Sequence, residues 1–427
     1  MKIIKGEGIN TYIRSLKDRQ DDNCELKEIV QKIIDTVKIG GDLSLFDYTK
    51  EFDKVSLESL EVTPDEMKYA KETIDLKLLN SLKAAYDNIK SFHNIQQRSS
   101  KYIDVPGGRL GEIIKPLNRV GIYVPGGKAA YPSTVLMNAI PARLAGVKEI
   151  IMVTPPMKDG SVKPSVLVAA DLAGVDRIFK VGGAQAVAAL TYSTESIPSV
   201  NKIVGPGNAY VATAKGLLSD KVGIDMIAGP SEILILADQY SNPKFIAADM
   251  IGQAEHDEKA ASMVITTCEV MAKKIEEELN EQLKTSDRLT IVKSSLRDQG
   301  AILIVSDDSQ MVSLANEIAP EHLEIQTKNA EYLVNDIENA GAIFIGNYSP
   351  EALGDYFAGP NHTLPTSGTA KFASPLGIDD FIKKTSYIHY TKEGLRDVKD
   401  KIITIATDEG LTGHANSIKV RFGGDDD

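Results

Sequence analysis

The chain has 427 residues, 42% of them hydrophobic and 25% charged, with a formal net charge of -12. That length exceeds what one core usually fills, so two or three domains are expected, and the acidic balance argues against a broad nucleic-acid surface. No apolar run reaches membrane-spanning length, the N-terminus MKIIKGEGINTYIRSLKDRQ lacks the apolar core and cleavage site of a secretory signal, and Cys24 and Cys268 are too few and too distant for a disulfide framework or thiolate metal site; a soluble, cytoplasmic protein is expected.

The first hundred or so residues predict helices: ELKEIVQKIIDTVK and PDEMKYAKETIDLKLLNSLKAAYDNIKSFHNIQQ repeat apolar positions at three- and four-residue intervals among charges. At Arg119 the pattern changes. RVGIYVPGG reads as a strand running into a turn, STVLMNAIPARLAGV as a helix and KEIIMVTPP as another strand; SVLVAADLAGV, DRIFKVGG, AQAVAALTY and NKIVGPG continue the alternation. It resumes with the strands SEILILAD, ASMVITT, AILIVS and GAIFIG, between which PKFIAADMIGQAEHD and VMAKKIEEELNEQLKT read as helices. Strand, glycine turn and helix in repetition is the pattern of layered α/β units. Two such units are expected, followed by a short C-terminal module with a charged helix around LRDVKDKIITIATDEG and a frayed GDDD end.

Of six histidines, four have polar neighbours that suggest chemistry. In GQAEHD, a helix would put Gln253 and His256 on one face, offering an amide oxygen and an imidazole nitrogen. Asp355 and His414 would complete a mixed oxygen and nitrogen set suited to zinc, manganese or cobalt, if loops from separate strand ends converge. Glu321 and His322 in APEHLEI pair a carboxylate with an imidazole that can take a proton near neutral pH; a salt-bridging glutamate beside a packed histidine is the competing reading. The loops GIYVPGGKAAYPST, KVGGAQA, IVGPGNAYVATAK and MIAGPSE could receive an anion on helix N-termini or serve as ordinary sheet-edge turns; none is GxGxxG or GxxxxGK[ST]. Tyr123 could cover a base or be a strand-end core residue, and Lys215 could balance phosphate or be a solvated helix lysine.

The ordered set YVPGG, GGAQA, GPGNAYVATAK, DMIAGPSEILILAD, AEHD, APEHLE, GDYFAGPNHTLPT and EGLTGHA resembles the histidinol dehydrogenase family and spans about Tyr123 to Ala415. The resemblance implies a zinc-dependent enzyme that oxidises L-histidinol through L-histidinal to L-histidine with two NAD and one water, the last step of histidine biosynthesis. It implies zinc ligands at Gln253, His256, Asp355 and His414, an acid/base pair at Glu321 and His322, further substrate contacts at Ser231, His362 and Glu409, and cofactor contacts at Tyr123, Gln185 and Asn208. The implied fold has two incomplete Rossmann-like units, one inserted in the other, with small terminal modules. Residues 1–20 would form an N-terminal helical module, 21–122 with 231–376 the main α/β domain carrying metal and substrate, 123–230 the inserted cofactor domain and 377–427 a C-terminal dimerisation module. A homodimer with shared active sites is implied. A cofactor-free metal hydrolase and a non-enzymatic oligomeric binding protein are the competing classes.

Overall fold

A computed structural model describes residues 1–17, 24–126 and 130–423; the expected frayed GDDD end, and the boundary expected at residue 20, lie outside the described residues. The chain divides into two compact units, Met1–Gln96 with Leu117–Phe381, and Gln97–Pro116 with Ile382 onward. The first unit opens with β1 (Lys2–Lys5) and α1 (Glu7–Lys17), then α2 (Cys24–Tyr48), α3 (Pro64–Thr73) and α4 (Leu76–Asn94). The start of α3 is written locally: Thr63 accepts from the Glu66 amide while the Glu66 side chain accepts from the Thr63 amide, with Pro64 as first helical residue.

After β2 (Lys101–Val105) and β3 (Gly108–Pro116) of the second unit, the chain returns with β4 (Arg119–Tyr123), α5 (Pro132–Ala145), β5 (Glu149–Val153), α6 (Pro164–Ala173), β6 (Arg177–Phe179), α7 (Gly183–Tyr192), β7 (Lys202–Val204), α8 (Ala209–Leu218) and β8 (Gly223–Ile224). These strands form a five-stranded parallel sheet ordered β6-β5-β4-β7-β8. Helices α4, α5 and α6 pack on one face and α2, α7 and α8 on the other.

Then follow β9 (Glu232–Ala237), α9 (Pro243–Ala254), β10 (Ala261–Thr266), α10 (Glu269–Gln282), α11 (Leu289–Asp298), β11 (Ala301–Ile304), α12 (Asp308–Ile318), β12 (His322–Ile325), α13 (Ala330–Leu333), β13 (Ala342–Ile345) and α14 (Glu351–Tyr356). They build a six-stranded parallel sheet ordered β1-β11-β10-β9-β12-β13. Its central strands EILILA and ASMVIT are buried at every position, as strands covered on both faces must be. Helices α1 and α12 cover one face, α9, α10 and α11 the other.

Numbered by chain order within each sheet, both run 3-2-1-4-5, the order of a doubly wound sheet, with β1 added at one edge of the second. The expected mixed α/β class with parallel sheets is the observed one. In the second unit β14 (Ile382–Tyr390), β3 and β2 make an antiparallel sheet, followed by α15 (Lys392–Asp408) and α16 (Thr412–Lys419).

Candidate active site

The acid/base candidates stand at the amino end of β12. Glu321 precedes the strand and His322 is its first residue. Strand alternation sends Leu323 and Ile325 into the core under α12, so His322 and Glu324 point to the opposite face, where α9 packs. Helical spacing puts Asp249 and Gln253 one turn apart on α9, and Glu351 and Asp355 one turn apart on α14. Gly354 lets α14 close onto β13, since a Cβ there would lie 2.6 Å from the Phe344 ring.

The result is a compact polar site. The Nδ1 of His322 lies 3.1 Å from the Glu232 carbonyl oxygen, 3.9 Å from Glu321 Oε2 and 3.8 Å from Glu351 Oε1. Its Nε2 is buried with no hydrogen-bond partner, and the nearest Asp355 oxygen is 3.7 Å away, an ion-pair distance and too long for a hydrogen bond. Oriented to donate, the Gln253 amide nitrogen lies 3.2 Å from Glu351 Oε2 and from the Glu232 carbonyl. Glu321 Oε2 accepts from the Glu232 amide at 2.9 Å, and the His362 Nδ1 lies 2.9 Å from the Asp355 carbonyl. One ligand atom each from His256, Glu351 and Asp355 lies within 4.8 Å of the others.

The electrostatics are those of carboxylates crowded out of water. Burial pushes Glu321 up to about 8 and Glu351 up to about 7, with His322 working against both shifts. Burial would lower His322, but Glu351, Glu321 and Asp355 outweigh it and hold the imidazole well above its ordinary value. Burial lowers His256 and His362. The mixed nitrogen and oxygen donors of His256, Glu351 and Asp355, with Gln253 beside them and surplus negative charge, fit a divalent ion of the zinc type.

The cofactor candidates lie at the other sheet. Tyr123 ends β4, Gln185 stands in the first turn of α7 after β6, and Asn208 caps α8 after β7. All three are at carboxyl strand ends, and β4 and β7 flank the point where strand order reverses; that crevice is where doubly wound sheets bind ligands. The Tyr123 hydroxyl accepts from the Gly183 amide at 3.0 Å, and the buried Gln185 Oε1 has no partner. Lys215 is neither solvated nor free for phosphate: its side chain is 2% exposed and pairs with Asp225.

Convergence was expected at carboxyl strand ends, whereas Glu321, His322 and Glu232 gather at the amino ends of β12 and β9. The connectivity explains the inversion. The chain leaves the carboxyl end of β8 at Ile224 and enters the amino end of β9 at Glu232, so these ends cannot stand more than about 28 Å apart even with the link fully stretched. Ser231 is the last residue of that link, its carbonyl accepting from the Ala261 amide at 2.9 Å.

The first unit therefore brings Gln253, His256, Glu321, His322, Asp355 and His362 together. Glu409 and His414 belong to the second unit, both exposed, Glu409 ending α15 and His414 in the first turn of α16. No sequence feature singles out Glu232, Asp249, Glu324 and Glu351 for chemistry, yet the fold brings them to the same site. Their trace is only periodic: Glu351 lies one turn before Asp355, Asp249 one turn before Gln253, and Glu324 two residues after His322.

Residues 16–422 match the family model described as histidinol dehydrogenase. The chain is 55% identical over 413 residues to the histidinol dehydrogenase of Clostridium acetobutylicum, covering 96% of each chain, and 51% identical over 426 residues to that of Listeria innocua, covering 99% of each. A crystal structure of histidinol dehydrogenase from Elizabethkingia anophelis superposes with a TM-score of 0.94 at 37% identity, over 99% of this chain and 98% of that one. With a match of this extent in sequence and in fold, the chain belongs to the histidinol dehydrogenase family.

Proposed function

We propose that the protein oxidises L-histidinol through L-histidinal to L-histidine, with two NAD and one water. The reading rests foremost on His322: its Nδ1 faces the Glu232 carbonyl while its buried Nε2 has no partner. With Nδ1 engaged, Nε2 is the nitrogen that exchanges the proton, and it serves as base where a bound cation would offset the carboxylates that hold the imidazole pKa high. His322 takes the proton from the alcohol oxygen and receives a proton again in the second oxidation; bound NAD would accept the hydride from the carbinol carbon each time. The aldehyde has no second hydride to give until its carbon gains an oxygen. Glu321 activates the water that forms the gem-diol in its ionised form, which burial confines to pH values near and above about 8; its fixed place comes from the Glu232 amide.

Gln253, His256 and Asp355 would hold zinc, with His414 supplied by the C-terminal module of the second subunit in a homodimer. Bound there, the metal supplies a grip on the imidazole and amine of the substrate, which orients the reacting carbon. Tyr123, Gln185 and Asn208 contact the cofactor, and Ser231, His362 and Glu409 contact substrate. No helix among the described residues is long and apolar enough to cross a membrane.

The test is an assay with defined metal content and histidinol as substrate, following NADH and histidine together. About two NADH per histidine is the expected yield. One NADH with accumulating aldehyde would reduce the activity to alcohol oxidation, and product without NADH would replace it with a cofactor-free reaction.

A further inference from the structure

We propose that the buried pair Lys215–Asp225 is a positioning device for the cofactor: it fixes the GPGN loop at Gly205 and thereby sets where Asn208 and Tyr123 stand. The inference rests on the cofactor reading above. Lys215, on α8, donates from Nζ to the Gly205 carbonyl at 3.1 Å and pairs with Asp225 Oδ1. Asp225 Oδ2 accepts from the Gly205 amide at 2.7 Å, and Oδ1 also accepts from the Met226 amide at 2.6 Å. Both backbone groups of one glycine are thus held by two side chains, each with its side chain no more than 2% exposed.

A buried ion pair is a poor device for stability alone, because apolar residues of similar volume usually hold a fold as well. What this pair does, and apolar residues could not, is fix backbone direction. Gly205 has φ of +104°, and a Cβ on it would lie 2.2 Å from the Tyr123 carbonyl oxygen. The loop therefore lies directly on the backbone of Tyr123, whose hydroxyl meets the start of α7. Three residues beyond Gly205, Asn208 caps α8 by accepting from the Val211 amide at 3.2 Å. Since Lys215 rises from that same helix, the loop, the cap and the helix form a closed circuit. Asp225 opens the link to Ser231, so the circuit is anchored on the segment that leaves the cofactor sheet.

The test uses the full-length enzyme carrying Lys215→Met with Asp225→Asn, which removes both charges at nearly constant volume. NADH binding is read by fluorescence titration, alongside thermal unfolding, zinc content, and the KM values for NAD and histidinol. We expect NADH affinity to fall roughly tenfold, the scale of one or two lost polar contacts, and KM for NAD to rise, with zinc content and the KM for histidinol unchanged. Asp225→Asn alone, which keeps an acceptor for the Met226 amide, serves if the double variant does not fold. NADH affinity within twofold of the parent overturns the proposal. So does an equal rise in both KM values together with zinc loss, which would make the pair a general support. Asn208→Ala separates the two layers: if it weakens NADH binding and the pair variant does not, only the positioning role fails; if neither does, the cofactor placement fails with it.

Discussion

Replacing Glu324 by alanine tests whether the metal candidates on α14 are held from below. Glu324 is buried, its Oε1 accepts from the Glu351 amide at 2.8 Å, and its Oε2 accepts from Gln326 Nε2 at 2.7 Å. The same Gln326 nitrogen donates to Asp249 on α9 at 2.9 Å. One carboxyl group thus ties β12 to the first residue of α14 and, through Gln326, to α9. Alanine leaves the Glu351 amide buried without an acceptor, about 1–3 kcal/mol, and opens a cavity worth ~1–2 kcal/mol more. Burial, with Asp249 beside it, pushes Glu324 up to about 8, so at neutral pH the pair retains a proton. Glutamine resembles that protonated state, keeping an acceptor for the Glu351 amide and a donor toward Asp249.

The expected result is a zinc affinity lowered 10–100-fold by Glu324→Ala, the usual cost of removing support behind metal ligands, and lowered much less by Glu324→Gln. Competition with a chromophoric chelator reads the affinity, and thermal unfolding of the metal-free variants separates stability from binding. Zinc binding by the alanine variant within threefold of the parent, or equal losses in both variants, would refute the bracing role.

Glu321→Gln, which can still accept the Glu232 amide, should slow histidinal oxidation by roughly 10²-fold or more while affecting histidinol oxidation far less; equal losses in rapid-mixing kinetics would remove its role in activating water. His322→Asn should slow both oxidations with zinc content near normal, measured by metal analysis of the purified variant. Gly205→Ala should lose cofactor binding and several kcal/mol of stability, because neither its φ nor the Tyr123 carbonyl 2.2 Å from the new Cβ can be accommodated; a urea midpoint like the parent's would contradict this. Burial pushes Asp53 up from 3.8 to about 6, and its Oδ2 has no partner. The folded chain therefore holds a proton that the unfolded chain has released, and stability falls as pH rises through that window. Asp53→Asn should flatten this slope and stabilise the fold above pH 6 relative to the parent; urea melts at pH 4 and pH 7 that show the same difference between variant and parent would count against it.

What could be read from the residues follows from how local the signal was. The strands of both sheets announce themselves as apolar runs between glycine turns, as in EILILA and ASMVIT. The strand KIIK is too short and too flanked by lysine to stand out, and it is a strand because β11 offers an edge. KYIDV and GRLGEIIKP carry charges in a sheet with exposed faces, so neither alternation nor a continuous run marks them. HLEI alternates polar and apolar residues, which places His322 and Glu324 on one side, but the sequence does not tell that this polar side is buried as well. The site divides in the same way. The spacing of Gln253 and His256 is visible on a single helix. Asp249, Glu324 and Glu351 look like ordinary solvated charges, because only the packing of α9 and α14 against β12 takes them out of water. Lys215 met its partner ten residues away across a turn, a separation that no helical or strand period contains.

The two sheets share a strand order, yet the cofactor candidates stand at carboxyl strand ends in one and the acid/base candidates at amino strand ends in the other, as the link from Ile224 to Glu232 permits. A chain leaving the carboxyl end of a parallel strand ordinarily returns through a helix to the amino end of the next strand in the same sheet. Here a seven-residue segment, 225–231, carries it into a different sheet. So short a link leaves no room for a helix, so the carboxyl end of one sheet is tied near the amino end of the other. A cofactor at the β4–β7 crevice and a substrate before β9 and β12 would then be neighbours by connectivity. Shortening the segment by one residue would move Ser231 and Glu232 by up to about 3.5 Å. It should abolish oxidation of histidinol while leaving NADH binding measurable, since the proposed cofactor residues Tyr123, Gln185 and Asn208 all precede it.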